Sequence, residues 1–410
     1  MIQTTLNDVF SHPRDPYPFY AQLRTQGPLS HVSWRGMDMW VVTTYGDTIA
    51  ILKDPRFIMD PRKILPAAGG LPSIEERTPR YFPLAGMRHL LNTDAPDHTR
   101  LRTLISKAFT PRMIEQLRPR IQQITDELIE TVQSRGQMDL IANFAFPLPI
   151  SVILEMLGIP GEDRQAFHAW TQTIVESQSA TLSPAKEAAG RAAEEAFTTY
   201  IKTLVVRKRA QPDNDLVSGL VQAEEQGDTL SENELIAMIF LLITAGHETT
   251  ATLLSNGMLA LLEHPEQIHL LQADPTLLPP AIEELLRYTA PVSLSSPRWA
   301  SEDIALHGQV IRKGEMVRCT LLAANTDPQQ FSDPAVLDIL RQENQHLAFG
   351  KGMHFCLGAP LARLEGQIAI GTLLRRLPDL RLAHDPAQLI WKDAGSLRAL
   401  ATLPVTFSAQ

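Results

Sequence analysis

The chain has 410 residues, of which 44% are hydrophobic and 20% are charged, ordinary values for a globular protein with a sizeable core. Its net charge of −9 argues against a nucleic-acid-binding protein or a polybasic membrane-surface protein. The two cysteines, Cys319 and Cys356, cannot form a disulfide framework, so a reducing compartment is expected. No secretory signal is visible, and the longest apolar run, residues 235–245, is too short to span a bilayer. These features predict a soluble cytoplasmic protein that binds neither nucleic acid nor membrane.

The N-terminal part of the chain alternates turn-rich segments with one predicted strand, residues 39–44. Residues 62–91 form a long irregular segment that would suit a substrate-access lid. Helical periodicity then dominates from Asp97 to about Tyr288. We expect it to be interrupted at 110–111, 158–160, 177–183 and 211–214.

The C-terminal third of the chain mixes short strands with one long helix. Strand-like runs occupy 305–311 and 316–322, where Cys319 is expected to be structural, and a strand pair is expected near 391–407. The order of elements predicts a mainly α-helical α+β fold. Because the cysteine loop and the longest predicted helix lie in different thirds of the chain, we expect a single intertwined domain, 1–410.

The longest predicted helix begins at a capping box, Ser231 to Glu234, and ends at Glu263 before a His-Pro pair. In its middle, Gly246 is followed by consecutive threonines, which are poor helix formers. A threonine hydroxyl there can compete for the carbonyl of Ala245. From the residues alone, Gly246 and these threonines could mark either a distortion of the helix that serves function or a kink that a core helix tolerates. His247 has no second histidine four positions later, which argues against a metal site.

The glycine-rich segment 349–358 places Cys356 directly before a predicted helix over 359–377. Glycines allow positive φ values and a close approach of the backbone to a flat partner. The helix N-terminus favours a thiolate over a thiol, and a thiolate suits one axial position of a haem iron. A buried cysteine in a glycine-rich turn is the alternative.

The spacing of this segment resembles the haem-binding signature of the cytochrome P-450 family, whose positions are met by Phe349, Gly350, Gly352, His354, Cys356 and Gly358. The resemblance runs from about Asp15 to the end and is greatest to the soluble bacterial branch with polyketide- and macrolide-tailoring hydroxylases. It implies a triangular helical prism with a small β-rich portion. Haem b (iron protoporphyrin IX) would lie between the long central helix and the cysteine-loop helix, with Cys356 as its thiolate ligand and Phe349 beside the sulfur.

The central helix resembles the family's acid–alcohol signature at Ala245, Gly246, Glu248 and Thr249. The resemblance implies a groove for dioxygen, with Thr249 holding a water molecule near the distal oxygen and Glu248 feeding protons from solvent. By the same resemblance, Glu284 and Arg287 match a structural Glu-x-x-Arg pair, with Arg341 as its third member. The family's propionate-binding positions are met by His98, Arg102, Arg298 and His354. Any one of these charged residues taken alone would be expected on the surface.

The substrate pocket implied by the resemblance and by helical spacing is roomy and apolar. Its expected residues are Leu241, Ala245, Met87, Leu90, Leu294, Ser295, Gly395 and Ser396. The expected function is monooxygenation: O2, two electrons and two protons are used to hydroxylate or epoxidise a hydrophobic small molecule (polyketide, macrolide, terpenoid, steroid or fatty-acid-like). A peroxide-driven haem-thiolate enzyme and a non-catalytic haem-thiolate sensor are the alternatives. The acid–alcohol pair speaks against both.

The resemblance implies that an electron donor is needed. No Gly-x-Gly-x-x-Gly dinucleotide motif follows a strand in this chain, so the donor is expected to be a separate protein. The resemblance implies a ferredoxin or a flavodoxin with its reductase. Arg100, Lys107, Arg112 and Lys351 could form a basic docking patch, although each could also be an ordinary surface cation. We expect a monomer.

Overall fold

The computed structural model describes residues 16–34, 37–64, 87–176, 184–225, 230–392 and 395–409. The α-helices of these ranges are α1 Tyr17–Gln26, α2 Tyr45–Lys53, α3 Asp97–Ala108, α4 Pro111–Gln116, α5 Arg118–Gln133, α6 Pro147–Met156, α7 Arg164–Glu176, α8 Pro184–Ala210, α9 Leu216–Glu225, α10 Glu232–Glu263, α11 Pro265–Ala273, α12 Leu278–Thr289, α13 Leu321–Asn325 and α14 Ala359–Arg376. A π-helical turn, Ile141–Ala145, precedes α6.

The described strands form three small sheets. They are β1 Leu29–Trp34, β2 Met37–Val42, β3 Phe57–Ile58, β4 Gln137–Asp139, β5 Arg298–Ala300, β6 Ile304–Leu306, β7 Gln309–Ile311, β8 Met316–Cys319, β9 Arg381–Leu382 and β10 Pro404–Thr406. The largest sheet has the order β1-β2-β8-β5-β3, and β2 and β8 run parallel. The others are a three-stranded sheet, β4-β10-β9, and the hairpin β6-β7. This content confirms the predicted α-dominant α+β layout.

Three predicted strand regions differ in detail from the structure. The run 305–311 is the hairpin β6-β7 rather than one strand, because His307 and Gly308 take positive φ values at its turn. The run 316–322 stops being a strand at Cys319, because Thr320 is followed by the helix-forming segment of α13. The predicted terminal pair near 391–407 is reduced to an isolated bridge between Trp391 and Leu400, since β10 pairs instead with β4 and β9. Most of the predicted lid, 65–86, and the predicted linker, 177–183, lie outside the described residues.

Cα packing divides the chain into two compact units, each assembled from separate stretches. The first comprises Met1–Ile58, Ile114–Pro149 and Glu248–Gln410, and the second comprises Met59–Met113 and Ile150–His247. The expectation of a single domain stays a prediction.

The first unit contains all the described strands together with α11 to α14. One of its apolar clusters packs buried sheet residues, including Trp40 and Cys319, together with Phe331 and Leu347. Leu347 lies just before the cysteine loop. That loop is therefore anchored directly to the core of the first unit.

The described part of the second unit is helical, and aromatic rings hold its helices together. Phe167 of α7, Phe197 of α8 and Phe240 of α10 are buried. Their ring centroids are 5.5 Å apart for Phe167 and Phe197 and 5.3 Å apart for Phe197 and Phe240, with edge-to-face geometry.

Helix α10 begins at the predicted capping box. The Ser231 amide donates to Glu234 Oε2 (2.8 Å), and the Glu234 amide donates to Ser231 Oγ (3.2 Å). The helix has the length and mean hydropathy, 1.4, of a membrane span, but 67% of that apolar window is buried inside the protein. These features therefore fit a core helix equally well.

Candidate active site

The loop that carries Cys356 is held by short backbone hydrogen bonds. The Gly350 amide donates to the Leu347 carbonyl (2.8 Å), and the Cys356 amide donates to the Phe349 carbonyl (3.0 Å). A 3₁₀ turn, Gly352–His354, lies between these two bonds. The loop therefore fixes Cys356 with respect to Phe349.

Gly352 is the glycine that this loop needs most. Its φ is +77°, and a Cβ atom there would lie 2.6 Å from the Leu52 carbonyl oxygen. Gly350 also has a positive φ, +69°, but nothing lies within 4 Å of a Cβ built on it. Both positions favour glycine by conformation, and Gly352 also requires it for space.

The surroundings of the Cys356 sulfur suit a ligand that approaches from outside the loop. Cys356 and Cys319 are thiols rather than a disulfide, and Cys356 is only half-buried. Gly358, the residue before α14, places no side chain near the sulfur, since a Cβ there would lie 4.0 Å from Cys356 Sγ. A single soft sulfur beside a glycine and a helix N-terminus fits the axial position of an iron porphyrin.

Glu284 of α12 is fully buried and is the centre of an ionic network that supports this loop. Arg287 donates to both of its carboxylate oxygens, at 2.7 and 2.8 Å. Arg341 Nε lies 3.2 Å from Glu284 Oε2, so the structure brings all three sequence-predicted members together. The backbone amide of Asp338 donates to Oε1 (3.0 Å).

Two asparagines belong to the same network and escaped the sequence analysis. Asn344 Nδ2 donates to Glu284 Oε2 (3.1 Å). Asn325 is fully buried, and its Oδ1 accepts from the Leu347 amide (2.7 Å) while its carbonyl accepts from Arg287 (3.0 Å). Hydrogen bonds therefore connect Glu284, through Arg287 and Asn325, to the residue at position 347, just before the cysteine loop. No local sequence signal marks these contacts.

The acid–alcohol segment is the accessible part of an otherwise buried helix. In α10, residues 235–241 and 250–261 are buried, whereas Ala245 is exposed and Gly246, Glu248 and Thr249 are half-buried. The helix is continuous through this segment, so the expected kink does not interrupt it. Two threonine hydroxyls in this region nevertheless donate to helix carbonyls four residues back. The Thr244 hydroxyl donates to the Phe240 carbonyl (2.9 Å), and the Thr252 hydroxyl donates to the Glu248 carbonyl (2.8 Å).

The environment of Glu248 favours its protonated form. Burial raises the pKa of this carboxyl above its ordinary value, and the positive charge of Lys392 opposes the shift only in part. A carboxyl of this kind can take up and release protons closer to neutral pH than an exposed glutamate can.

The four candidate propionate-binding residues are divided between the two units. In the first unit, Arg298 is buried in β5, where its Nη1 donates to the Phe57 carbonyl (3.2 Å), and His354 is half-buried in the cysteine loop. In the second unit, His98 is buried on α3, one turn before the half-buried Arg102. Burial, and then the charge of Arg102, lower the pKa of His98, while Asp94 opposes this. A neutral His98 can still donate one hydrogen bond to an anion.

The predicted pocket residues of the first unit are joined by a buried arginine that sequence reasoning missed. Arg318 of β8 donates to the Ser295 carbonyl (2.6 Å) and to Ser396 Oγ (2.6 Å). Ser295 Oγ accepts from the Cys319 amide (2.9 Å), and Leu294 is buried. These serine hydroxyls therefore take part in the scaffold, while Gly395 has a φ of +63° at the neighbouring turn.

The predicted pocket residues of the second unit lie on two of its segments. Leu241 of α10 and Leu90 are buried, and Met87 is half-buried.

Among the proposed docking cations of this unit, Arg100 is ion-paired with Glu234, whose carboxylate offsets its charge. Lys107 and Arg112 are exposed, as is Lys351 of the first unit.

The α-dominant fold and the cysteine loop before α14 fit a haem-thiolate oxidoreductase. A sequence model of the Cytochrome P450 family matches residues 75–378, and the chain belongs to that family. Its relatives include proteins named as a monooxygenase and as hydroxylases, and the chain is accordingly an enzyme of that class.

Individual relatives match over nearly the whole chain. Cytochrome P450 CYP107DY1 of Priestia megaterium is 52% identical over 99% of this chain and 100% of its own length. The polyketide biosynthesis cytochrome P450 PksS of Bacillus subtilis is 40% identical, covering 96% of each. Among solved structures, myxobacterial cytochrome P450 CYP267B1 in complex with myristic acid has a TM-score of 0.90 and 44% identity, covering 98% of this chain and 100% of that one.

Proposed function

We propose that this chain is a haem b monooxygenase that uses O2, two electrons and two protons to hydroxylate or epoxidise a hydrophobic small molecule. The observation that carries the proposal is the half-buried Cys356 thiol, fixed by the Phe349 carbonyl and supported through the Glu284 network. Bound haem would supply the oxygen chemistry, and its thiolate ligand favours O–O cleavage.

Cys356 would bind the haem iron through its sulfur, and four cationic or hydrogen-bonding side chains would hold the two propionates. These four side chains are Arg298, His354, His98 and Arg102. Arginine suits the role because its guanidinium can donate two parallel hydrogen bonds to a carboxylate. Phe349 would pack beside the sulfur, with Gly350 and Gly358 keeping the approach to it open.

Glu248 and Thr249 would deliver protons. The raised pKa of Glu248 supports its role as a proton donor, because an acid works best when its pKa lies near the working pH. The Thr249 hydroxyl would hold a water molecule between this acid and the oxygen, and Ala245 and Gly246 would leave room for it. The presence of the pair speaks against the peroxide-driven alternative and against a sensor.

The substrate is proposed to be apolar and to bind by shape. The predicted pocket residues are mainly aliphatic, and the hydroxyls of Ser295 and Ser396 already bond within the scaffold. The relatives named above support a polyketide or a fatty-acid chain as the class to test first. Electrons would come from a ferredoxin or a flavodoxin with its reductase, in the cytoplasm, to a monomeric enzyme.

The test is turnover of a polyketide and fatty-acid panel with a surrogate ferredoxin and reductase. Wild type should form hydroxylated or epoxidised product in proportion to NAD(P)H consumed. Thr249→Ala and Glu248→Gln should keep consuming reductant while product per electron pair falls, by about 10²-fold or more for Glu248→Gln. Thr252→Ala is the matched control, because its hydroxyl is bonded to a helix carbonyl. Product formed with peroxide but not with the redox chain would contradict the proposal.

A further inference from the structure

Helix α12 presents two adjacent carboxylates, and only Glu284 belongs to the network described above. Glu283 binds Arg363 of α14 through two parallel hydrogen bonds, Nε to Oε1 and Nη2 to Oε2, each 2.7 Å long. The ring nitrogen Nε2 of His346 lies 3.1 Å from Glu283 Oε2. Burial tends to raise the pKa of Glu283, but the hydrogen bonds from Arg363 and His346 outweigh it and lower the pKa to about 2. Glu283 is therefore an anion at neutral pH.

The guanidinium that Glu283 holds lies over the ring of Phe349. The Cζ atom of Arg363 is 4.7 Å from the centroid of that ring, within cation–π distance. His346 and Phe355 border the same ring, with centroids 5.9 and 6.3 Å away. These side chains enclose the aromatic residue whose carbonyl accepts the Cys356 amide hydrogen bond.

This arrangement is more specific than a surface ion pair. The side chains of Arg363 and Glu283 are 32% and 29% exposed, and a pair this accessible contributes little to stability by itself. A bidentate clamp, however, fixes the plane of the guanidinium, and stacking transmits that orientation to the ring. The pair also places one positive and one negative charge beside the loop that carries the sulfur.

We propose that Arg363, clamped by Glu283, is a positioning residue that holds Phe349 against the cysteine loop and tunes the reduction potential of the bound iron. The inference rests on the proposed haem-thiolate function. The Arg363 charge favours the reduced iron, which carries one less positive charge, and the Glu283 charge favours the oxidised iron. Removing one charge should therefore shift the potential in the opposite direction from removing the other.

The experiment measures the reduction potential of purified holoprotein by spectroelectrochemistry. Relative to wild type, Arg363→Gln should lower the reduced-to-oxidised ratio at the wild-type midpoint by about threefold, and Glu283→Gln should raise it, because each variant removes one charge near the iron. The Glu283→Gln/Arg363→Gln double variant should return toward wild type. Arg363→Lys keeps the positive charge, so its reduction potential should match that of the wild type. Its ferrous carbon monoxide form should nevertheless lose thiolate ligation faster than the wild-type form, because lysine has no planar group to stack on the Phe349 ring.

Arg375→Gln is the control, since Arg375 is an exposed arginine on the same helix that bonds only weakly to Thr372 (3.5 Å) among the described contacts. If both single variants match this control, or if both shift the potential in the same direction, the proposed tuning is wrong while the haem-thiolate function stands. A wild-type protein without the spectrum of thiolate ligation would overturn both.

Discussion

Replacing Glu284 by alanine removes the carboxylate at the centre of the network that supports the cysteine loop. Two arginine side chains, Arg287 and Arg341, would lose their shared counter-ion, and Arg287 has no access to solvent. Removing one partner of a buried ion pair costs about 3–5 kcal/mol because it leaves an uncompensated buried charge. That is a large fraction of the roughly 5–15 kcal/mol that stabilises a typical folded protein. We expect Glu284→Ala to lose haem as well as stability.

Two measurements on the same preparations check this expectation. Urea denaturation gives the free energy of unfolding, and the ratio of haem to protein absorbance gives cofactor content. Glu302→Ala is the control, because Glu302 forms an exposed pair with Arg56 at 3.7 Å, and such a pair is expected to contribute little to stability. Glu284→Gln should fall between them, since it keeps hydrogen bonding but not charge. A Glu284→Ala protein with full haem content and less than about 1 kcal/mol of destabilisation would refute the reasoning.

Two further predictions concern single positions of the first unit. Gly352→Ala should abolish or strongly reduce haem loading, because its methyl group would collide with the Leu52 carbonyl. Gly350 has a similar φ, but there is open space around it. Gly350→Ala should therefore lower the free energy of unfolding, measured by urea denaturation, by only about 1–2 kcal/mol. Burial raises the pKa of Glu365 to about 8, and its Oε2 has no hydrogen-bond partner among the described residues. Because the pKa of Glu365 in the folded protein lies above the usual glutamate value of 4.5, the free energy of unfolding of the wild type should fall as pH rises from about 5 to about 8. Glu365→Gln should therefore gain about 2–4 kcal/mol relative to wild type over that range, and a constant difference would contradict the assignment.

The features that could be predicted from the sequence have local causes. The start of α10 depends on Ser231 and Glu234, three residues apart, and the structure shows both of their capping hydrogen bonds. The cysteine loop needs glycines at fixed positions, so its spacing is visible in the chain itself. The end of α14 at Arg376 differs by one residue from the expected boundary.

The features that escaped prediction depend on contacts between distant parts of the chain. Arg318 lies in a segment that is predicted to be a strand, and nothing in that segment indicates its hydrogen bond to Ser396, 78 positions further along the chain. The pairing of Glu283 with Arg363 spans 80 positions and has no marker in either helix. Asn325 ends α13, and its bond to the Leu347 amide depends on how α13 packs against the segment before the cysteine loop. Periodicity and spacing carry no information about such partners.

The central claim is that Cys356 binds the haem iron as a thiolate. The most direct test is the absorption spectrum of the reduced, carbon monoxide-bound holoprotein, compared between wild type and Cys356→Ser. Wild type should show the long-wavelength Soret band that thiolate ligation gives, and the variant should lack it. A colourless wild-type protein after expression with a haem supply, or an unchanged band in Cys356→Ser, would contradict the account.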